Sequence, residues 1–309
     1  MKGMNKHMTL KKETNFLRYN SIFYLTGLLI ILGLKCYYRQ ADCDSLLWIL
    51  APTARWVEFL SRIPFTYISG TGYVNHSLRL VIAPSCSGVR FMIITFATLV
   101  FSFVHVAASS RKPAASVSAR PLYRALVEFG LPDVKALAKG MCWIIASGFL
   151  SGVFTVFVNG LRIITAIYFP LYLEDAGLMK GMMTPDRVHT MIGVVVYFIA
   201  LLTIYRLVGW FVQRMVRPDH SDQENCAHSL NVTEIYSDKK FFLRTFLRKC
   251  MPPVFWYFVL TLGIPFLNRV CREDSAGFTE FVVLVFGCCA CVLLPYIIVL
   301  SLHRHRKIR

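Results

Sequence analysis

Three short stretches of the chain contain residue types that could do chemistry together. Cys86 lies in "PSCSGVRF", Arg162 in "NGLRI" and His189 in "DRVHTM". A cysteine thiolate is a strong nucleophile, a histidine exchanges a proton near neutral pH, and an arginine keeps its positive charge. A nucleophile, a base and a cation of these types suit catalysis through a covalent intermediate.

The residues next to Cys86 favour a reactive setting. An apolar helix is predicted to begin just after it, and the positive end of a helix favours a thiolate over a thiol. The backbone N–H groups of Ser87 and Gly88 are candidates to hold an oxyanion. Gly88 also lets the backbone approach a neighbour closely. A small buried thiol at a helix start is the alternative interpretation of Cys86.

Candidate supporting groups lie beside the other two residues. Asn159 precedes Arg162 by nearly one helical turn, and Asp186 precedes His189 by three residues. Residues at this spacing share a helix face. The threonine and proline of "TPDRV" suit an N-cap and a first helical position, which predicts that His189 lies early in a helix.

The elements that position these residues are predicted to be membrane helices. The chain has 309 residues, 56% of them hydrophobic, and a mean hydropathy of +0.53. Apolar runs of about 18 residues or more are typical of transmembrane helices. The sequence predicts an all-α polytopic integral membrane protein with about six transmembrane helices, at residues 20–37, 89–108, 140–169, 190–212, 252–267 and 279–302.

Loop charges predict the orientation. With the N-terminus in the cytoplasm, the segments on that side carry 22 Lys and Arg and the outer segments carry 8. This bias is the positive-inside pattern, so we expect both termini in the cytoplasm. It also explains the net charge of +17 without a nucleic-acid partner. Cys86, Arg162 and His189 then lie at similar depth near the outer face.

The predicted organisation has four parts. A basic N-terminus covers residues 1–19, a membrane core covers 20–212 with a cytoplasmic loop at 109–139, a charged loop covers 213–251, and two further helices with a basic tail cover 252–309. Segment 46–60 is too short and too polar for a span, which predicts a re-entrant or interfacial helix. The stretch "GTGYVNHSLRLVIAPS" predicts a turn and a short extended segment that leads into Cys86.

Cysteine spacing argues against metal and paired-thiol chemistry. The chain has ten cysteines but no CxxC pair and no Cys/His spacing of the zinc type. We therefore expect no metal and no organic cofactor. Cys43 lies on the same predicted side as Cys86, which leaves a thiol-redox membrane enzyme as one alternative.

The three motifs, in this order, resemble the exosortase and archaeosortase superfamily over roughly residues 20–212. The "YISGTGY" segment before Cys86 and the Arg-to-His spacing are most similar to the exosortase K branch. The resemblance implies a membrane-embedded cysteine protease and transpeptidase of the bacterial inner membrane, with Cys86 as nucleophile, Arg162 as electrostatic partner and His189 as acid and base. The implied partners are exported proteins with a C-terminal transmembrane sorting signal, membrane lipids, and a lipid or glycan acceptor.

A non-enzymatic membrane protein, either a transporter or an assembly scaffold, is the other alternative. A pore should show polar residues along the middle of several spans. In this sequence the polar groups gather near one rim and the span centres are mostly apolar, which disfavours transport.

Overall fold

The computed structural model describes residues 2–78, 80–108, 134–175, 184–216, 251–263, 265–266 and 276–307. Within these residues the chain forms seven helices: α1 (Lys2–Gln40), α2 (Leu47–Ser61), α3 (Val89–Ala108), α4 (Val134–Asp175), α5 (Pro185–Val216), α6 (Met251–Gly263) and α7 (Ala276–Lys307). The predicted all-α class is confirmed.

Five of these helices are long and apolar enough to cross a membrane, which makes the protein a polytopic membrane protein. The candidate spans are Asn20–Gln40, Pro84–Ala108, Val134–Tyr172, Arg187–Arg214 and Gly277–Pro295. The sixth span was predicted at 252–267, and within the described residues this segment forms the apolar helix α6, with Pro265 and Phe266 also helical.

Several predicted boundaries move. Helix α4 begins at Val134 and so includes the end of the loop predicted at 109–139, of which residues 109–133 lie outside the described part. Helix α5 continues to Val216, and residues 217–250 of the second predicted loop are likewise not described. The short helix predicted at 46–60 is confirmed as α2, at Leu47–Ser61.

A small antiparallel sheet lies between α2 and α3 in the chain. Its strands are β1 (Thr66–Ile68), β2 (Gly72–Asn75) and β3 (Leu80–Ile82), in the order β1-β2-β3. The predicted turn is confirmed, with φ of +75° at Gly70 and +113° at Gly72. The predicted extended segment is β3, whereas Leu78 lies in the preceding turn. The sheet itself was not predicted.

Side chains from the flanking segments hold this sheet in place. Asp44 accepts hydrogen bonds from the hydroxyls of Tyr67 and Ser69. These bonds, first that of Tyr67, lower the pKa of Asp44. The bond to Asp44 raises the pKa of Tyr67 to about 12. Glu58 of α2 accepts the N–H of Phe65 at 2.7 Å, just before β1 begins.

Asn75 is a buried polar residue of the sheet. Its side chain is buried at the end of β2. It donates to the carbonyl of Pro64 at 2.7 Å and accepts the N–H of Leu78 at 2.8 Å. An amide with a donor and an acceptor can satisfy both buried backbone groups, so Asn75 closes the turn between β2 and β3.

The chain divides into two compact units, and the larger one contains the sheet and the predicted site. It comprises Leu29–Ala97, Ala146–Leu201 and Tyr257–Arg309. In this unit, helix α4 buries a ridge of polar side chains spaced about four residues apart, namely Ser147, Ser151, Thr155, Asn159 and Arg162. All five are at most 9% exposed. Small hydroxyl residues let membrane helices approach closely. The part of this ridge formed by Ser147, Ser151 and Thr155 is therefore a packing surface.

The other unit comprises Met1–Leu28, Thr98–Ile145 and Leu202–Trp256. Aromatic rings dominate its interior. Phe101 of α3 stacks on Trp256 of α6 with ring centroids 4.5 Å apart, and Phe103 contacts Trp143 of α4 and Tyr205 of α5. This aromatic packing joins α6 to the helices of the predicted core.

Candidate functional site around Cys86, Arg162 and His189

Cys86 lies in a tight turn between the sheet and α3. Residues Pro84–Cys86 form one turn of 3-10 helix directly after β3. The N–H of Cys86 donates to the carbonyl of Ala83 at 2.8 Å, and the N–H of Ser87 donates to that of Pro84 at 3.1 Å. The thiol is free and partly exposed. The predicted extended segment therefore does end at a compact turn that presents Cys86.

Gly88 makes the transition from this turn into α3. Its φ of +74° is in the left-handed region, which costs a side chain roughly 1–2 kcal/mol. A Cβ at this position would come within 2.9 Å of Thr155 Cγ2 and 3.0 Å of Asn159 Cγ. The prediction that Gly88 allows a close backbone approach is confirmed, and the partner is α4.

Asn159 joins the Cys86 turn to two helices. Its side chain is fully buried on α4. The amide nitrogen donates to the carbonyl of Cys86 at 2.5 Å, and the amide oxygen accepts the hydroxyl of Tyr197, on α5, at 2.7 Å. Because both ends of the amide are satisfied inside a low-dielectric core, this bridge fixes the turn against α4 and α5.

Arg162 and His189 are in direct contact. Nη2 of Arg162 lies 2.7 Å from Nε2 of His189. A guanidinium has only donors, so Nε2 of the imidazole is the acceptor and Nδ1 carries the proton. In this arrangement His189 is neutral. Thr184 and Pro185 begin α5 as predicted, since the Thr184 hydroxyl accepts the N–H of Arg187 at 3.4 Å.

The guanidinium of Arg162 is buried beside an aromatic ring. The residue is 9% exposed, whereas His189 is exposed. The guanidinium carbon lies 5.7 Å from the centre of the Tyr197 ring, within cation–π range. Gly193 leaves room for it, because a Cβ there would lie 3.3 Å from Arg162 Nε. Within the described residues that Nε has no hydrogen-bond partner, although it is buried.

The structure shows a direct side-chain contact for two of the predicted site residues and a main-chain hydrogen bond for the third. Arg162 and His189 form a pair, and Asn159 holds the main chain of Cys86. Tyr197 connects the two parts, because it bonds Asn159 and is close enough to Arg162 and Cys86 to interact electrostatically with both.

Two backbone N–H groups, those of Ser87 and Gly88, were predicted as oxyanion donors, and one of them remains a candidate. The N–H of Ser87 is not free, contrary to the prediction, since it is used inside the turn. Among the described residues the N–H of Gly88 has no partner, so it is the remaining candidate donor. Asp186 lies in the first turn of α5, and its side chain is outside the described part of the structure.

Sequence reasoning missed Tyr197 and Trp56. His189, Gly193 and Tyr197 follow one another at intervals of four along α5, a ridge that could have indicated Tyr197. Trp56 of α2 packs against Gly160, so closely that any Cβ at residue 160 would overlap the indole ring. Nothing in the local sequence connects Trp56 to α4.

Metal ligation has no support in the described ranges. They contain no group of three or more His, Cys, Asp or Glu side chains that could hold an ion. The described groups at the candidate site are the thiol of Cys86, the imidazole of His189, the guanidinium of Arg162 and the backbone N–H of Gly88.

Comparisons with known protein families, with curated proteins and with solved structures find no match to this chain.

Proposed function

We propose that the protein is a membrane-embedded cysteine protease and transpeptidase. Its substrates are exported proteins that end in a short motif, a transmembrane helix and a basic tail. The observation that carries the proposal is the pairing of Arg162 with His189 in the same hydrogen-bonded neighbourhood as the Cys86 turn. Arg162 and His189 are in contact, and Asn159 and Tyr197 connect this pair to the main chain of Cys86.

The cycle begins with the Arg162–His189 contact. While Nε2 of the imidazole accepts from the guanidinium, it cannot accept the thiol proton. Substrate binding therefore has to separate this pair. The thiol proton of Cys86 then passes to Nε2, which gives a thiolate and an imidazolium. The released guanidinium is free to face the negative charge that develops on the substrate.

Acyl transfer follows in two steps. The thiolate attacks the scissile carbonyl, and the oxyanion that forms is held by Arg162 and the N–H of Gly88. The imidazolium of His189 protonates the leaving amine as the carbon–nitrogen bond breaks, which leaves a thioester on Cys86. A second nucleophile, a lipid or glycan hydroxyl or amine at the envelope, attacks the thioester and restores the thiol.

The proposed setting is the bacterial inner membrane. The loop charges favour cytoplasmic termini, which supports a position of the Cys86 turn at the outer face, where exported proteins arrive. The buried hydroxyls of α4 do not favour a transport pathway, because they are packed inside the helix contacts and leave no surface for water.

The test follows an exported protein with a C-terminal sorting signal in cells of the same organism. Cys86→Ala, Arg162→Ala and His189→Ala should each abolish its processing. Matched controls are Cys36→Ala, Arg90→Ala and His76→Ala, which alter exposed residues of the same types. Normal processing in all three site variants would refute the proposal. Reaction of Cys86 with an impermeant thiol reagent only from the cytoplasmic side would refute the orientation.

A further inference from the structure

We propose that the free edge of β3 binds an extended segment of the substrate polypeptide as a fourth strand and guides it to Cys86. This rests on the proposed function and adds how the substrate is held. The occupant is the part of the exported protein that precedes its membrane helix.

The register shows which main-chain groups of β3 point outward. Tyr73 lies opposite Ile82 and Val74 lies opposite Val81. A Cβ on Gly72 would be 2.5 Å from the carbonyl oxygen of Ile82, so that oxygen faces β2. Because hydrogen bonding alternates along an antiparallel strand, the N–H and C=O of Val81 face away from the sheet.

The same alternation turns the N–H of Ala83 outward. Ala83 continues the strand in an extended conformation, with φ of −93° and ψ of 175°. Within the described residues, these three groups of Val81 and Ala83 have no hydrogen-bond partner. Unpaired N–H and C=O groups in a row are a template for another extended backbone.

The edge ends beside the nucleophile. The carbonyl of Ala83 accepts the N–H of Cys86 at 2.8 Å, so the 3-10 turn brings Cys86 back next to the last outward group. The hydroxyl of Tyr38 donates to the carbonyl of Pro84 at 3.2 Å and steadies this turn. A strand paired with β3 would therefore continue to the turn that carries Cys86.

The side chain of Val81, the middle residue of β3, is apolar and accessible. It is 44% exposed. Proteins usually protect a free edge with a charge, a proline or a bulge, and Val81 offers none of these. The opposite edge of the sheet is β1, which lies two strands away from Cys86 in the sheet order. We therefore assign the binding to β3, for a segment with small or apolar side chains.

The experiment uses the full-length protein in detergent and a peptide probe. Ala-Ala-Ala chloromethyl ketone alkylates a thiolate with loss of chloride, and mass spectrometry quantifies the adduct at Cys86. Iodoacetamide reports the reactivity of the same thiol without a peptide backbone. Val81→Pro removes one outward N–H, and Val81→Ala is the matched control that keeps it. We expect Val81→Pro to slow the peptide probe about three- to tenfold and to leave iodoacetamide labelling unchanged.

A second arm needs no substitution in the protein. N-methylation of each probe amide in turn removes one donor, and at least one methylated probe should label the wild-type protein about three- to tenfold more slowly. If no methylated probe is slower, the edge does not bind the peptide, whatever Val81→Pro does. Should Cys86→Ala still abolish processing in cells, only this inference fails. Normal processing with Cys86→Ala would instead remove the proposed function.

Discussion

The Cys86 turn and the Arg162–His189 pair are held in different ways. The turn is fixed by backbone hydrogen bonds and by a buried amide from α4, so its main chain has little freedom. The pair is a contact between two side chains, a buried guanidinium and an exposed imidazole at the start of α5. The nucleophile is therefore rigidly placed, whereas its acid–base partner can change contacts.

This difference matches the demands of the proposed reaction. The carbonyl carbon of a substrate has to meet the thiol at a defined position, which favours a rigid turn. The imidazole has to accept a proton and later release it, and it must leave the guanidinium to do so. Variants that disturb the turn should therefore affect folding and activity together, and variants of the pair should affect activity alone.

The largest effect is expected for Gly88→Ala. The left-handed backbone and the overlap with Thr155 and Asn159 together should cost roughly 2–5 kcal/mol of folding free energy. Thermal unfolding in detergent measures the loss. Gly70→Ala is the matched control, because Gly70 has a similar φ of +75° and nothing within 4 Å of its Cβ position. Equal losses in both variants would show that packing against α4 contributes nothing.

Asn159→Leu should come next. It leaves the carbonyl of Cys86 and the hydroxyl of Tyr197 without partners, and because both residues are only partly buried the total cost should be about 1–3 kcal/mol. Asn159→Asp keeps an acceptor for Tyr197 but loses the donor to Cys86. We expect processing to fall in both variants, and the peptide probe to label Cys86 more slowly than in the wild-type protein. Normal labelling in Asn159→Asp would mean that the amide does not hold the turn.

Tyr197→Phe should have a smaller effect. It removes one hydrogen bond but keeps the ring, which stacks on Phe91 with centroids 4.5 Å apart and lies near the Arg162 guanidinium. The expected cost is about 0.5–1.5 kcal/mol. A double-mutant cycle with Asn159→Leu measures the coupling, which should nearly equal this cost. Tyr257→Phe is the control, since its hydroxyl donates instead to the carbonyl of Val194.

The smallest effect concerns the pH dependence of the sheet. The lowered pKa of Asp44 means that its contribution to stability is present above about pH 4 and is lost as the pH falls further. The raised pKa of Tyr67 gives a contribution that is present below about pH 10 and is lost as the pH rises through about 12. Asp44→Asn should return the pKa of Tyr67 toward 10, as measured by absorbance titration against Tyr67→Phe. An unchanged titration would contradict the assigned hydrogen bond.

Local patterns predicted the elements better than their lengths. Hydropathy located five spans because it depends only on the residues within each window. The sixth predicted segment is helical where the structure describes it, at Met251–Gly263 and at Pro265 and Phe266. The sheet was missed because each of its strands has only three or four residues and depends on pairing for its stability.

For the candidate site, the residues could be predicted from the sequence, and the contacts between them could not. Cys86, Arg162, His189, Asn159 and Gly88 were identifiable from residue type and from spacing along single helices. The hydrogen bonds that organise them were not, because they join residues 73 and 38 positions apart in the chain. Spacing along α5 could have indicated Tyr197, but not its hydrogen bond to Asn159. Local spacing shows which residues share a face, and it does not show what that face meets.

The contact between Trp56 and Gly160 has a consequence for recognising related chains. Residue 160 lies between Asn159 and Arg162 and has no room for a side chain as long as the indole covers it. A homologue that keeps the asparagine and the arginine but carries alanine or serine between them should have a smaller residue in place of the tryptophan. Paired changes at these two positions, more than 100 residues apart, would therefore serve as a signature for this helix arrangement.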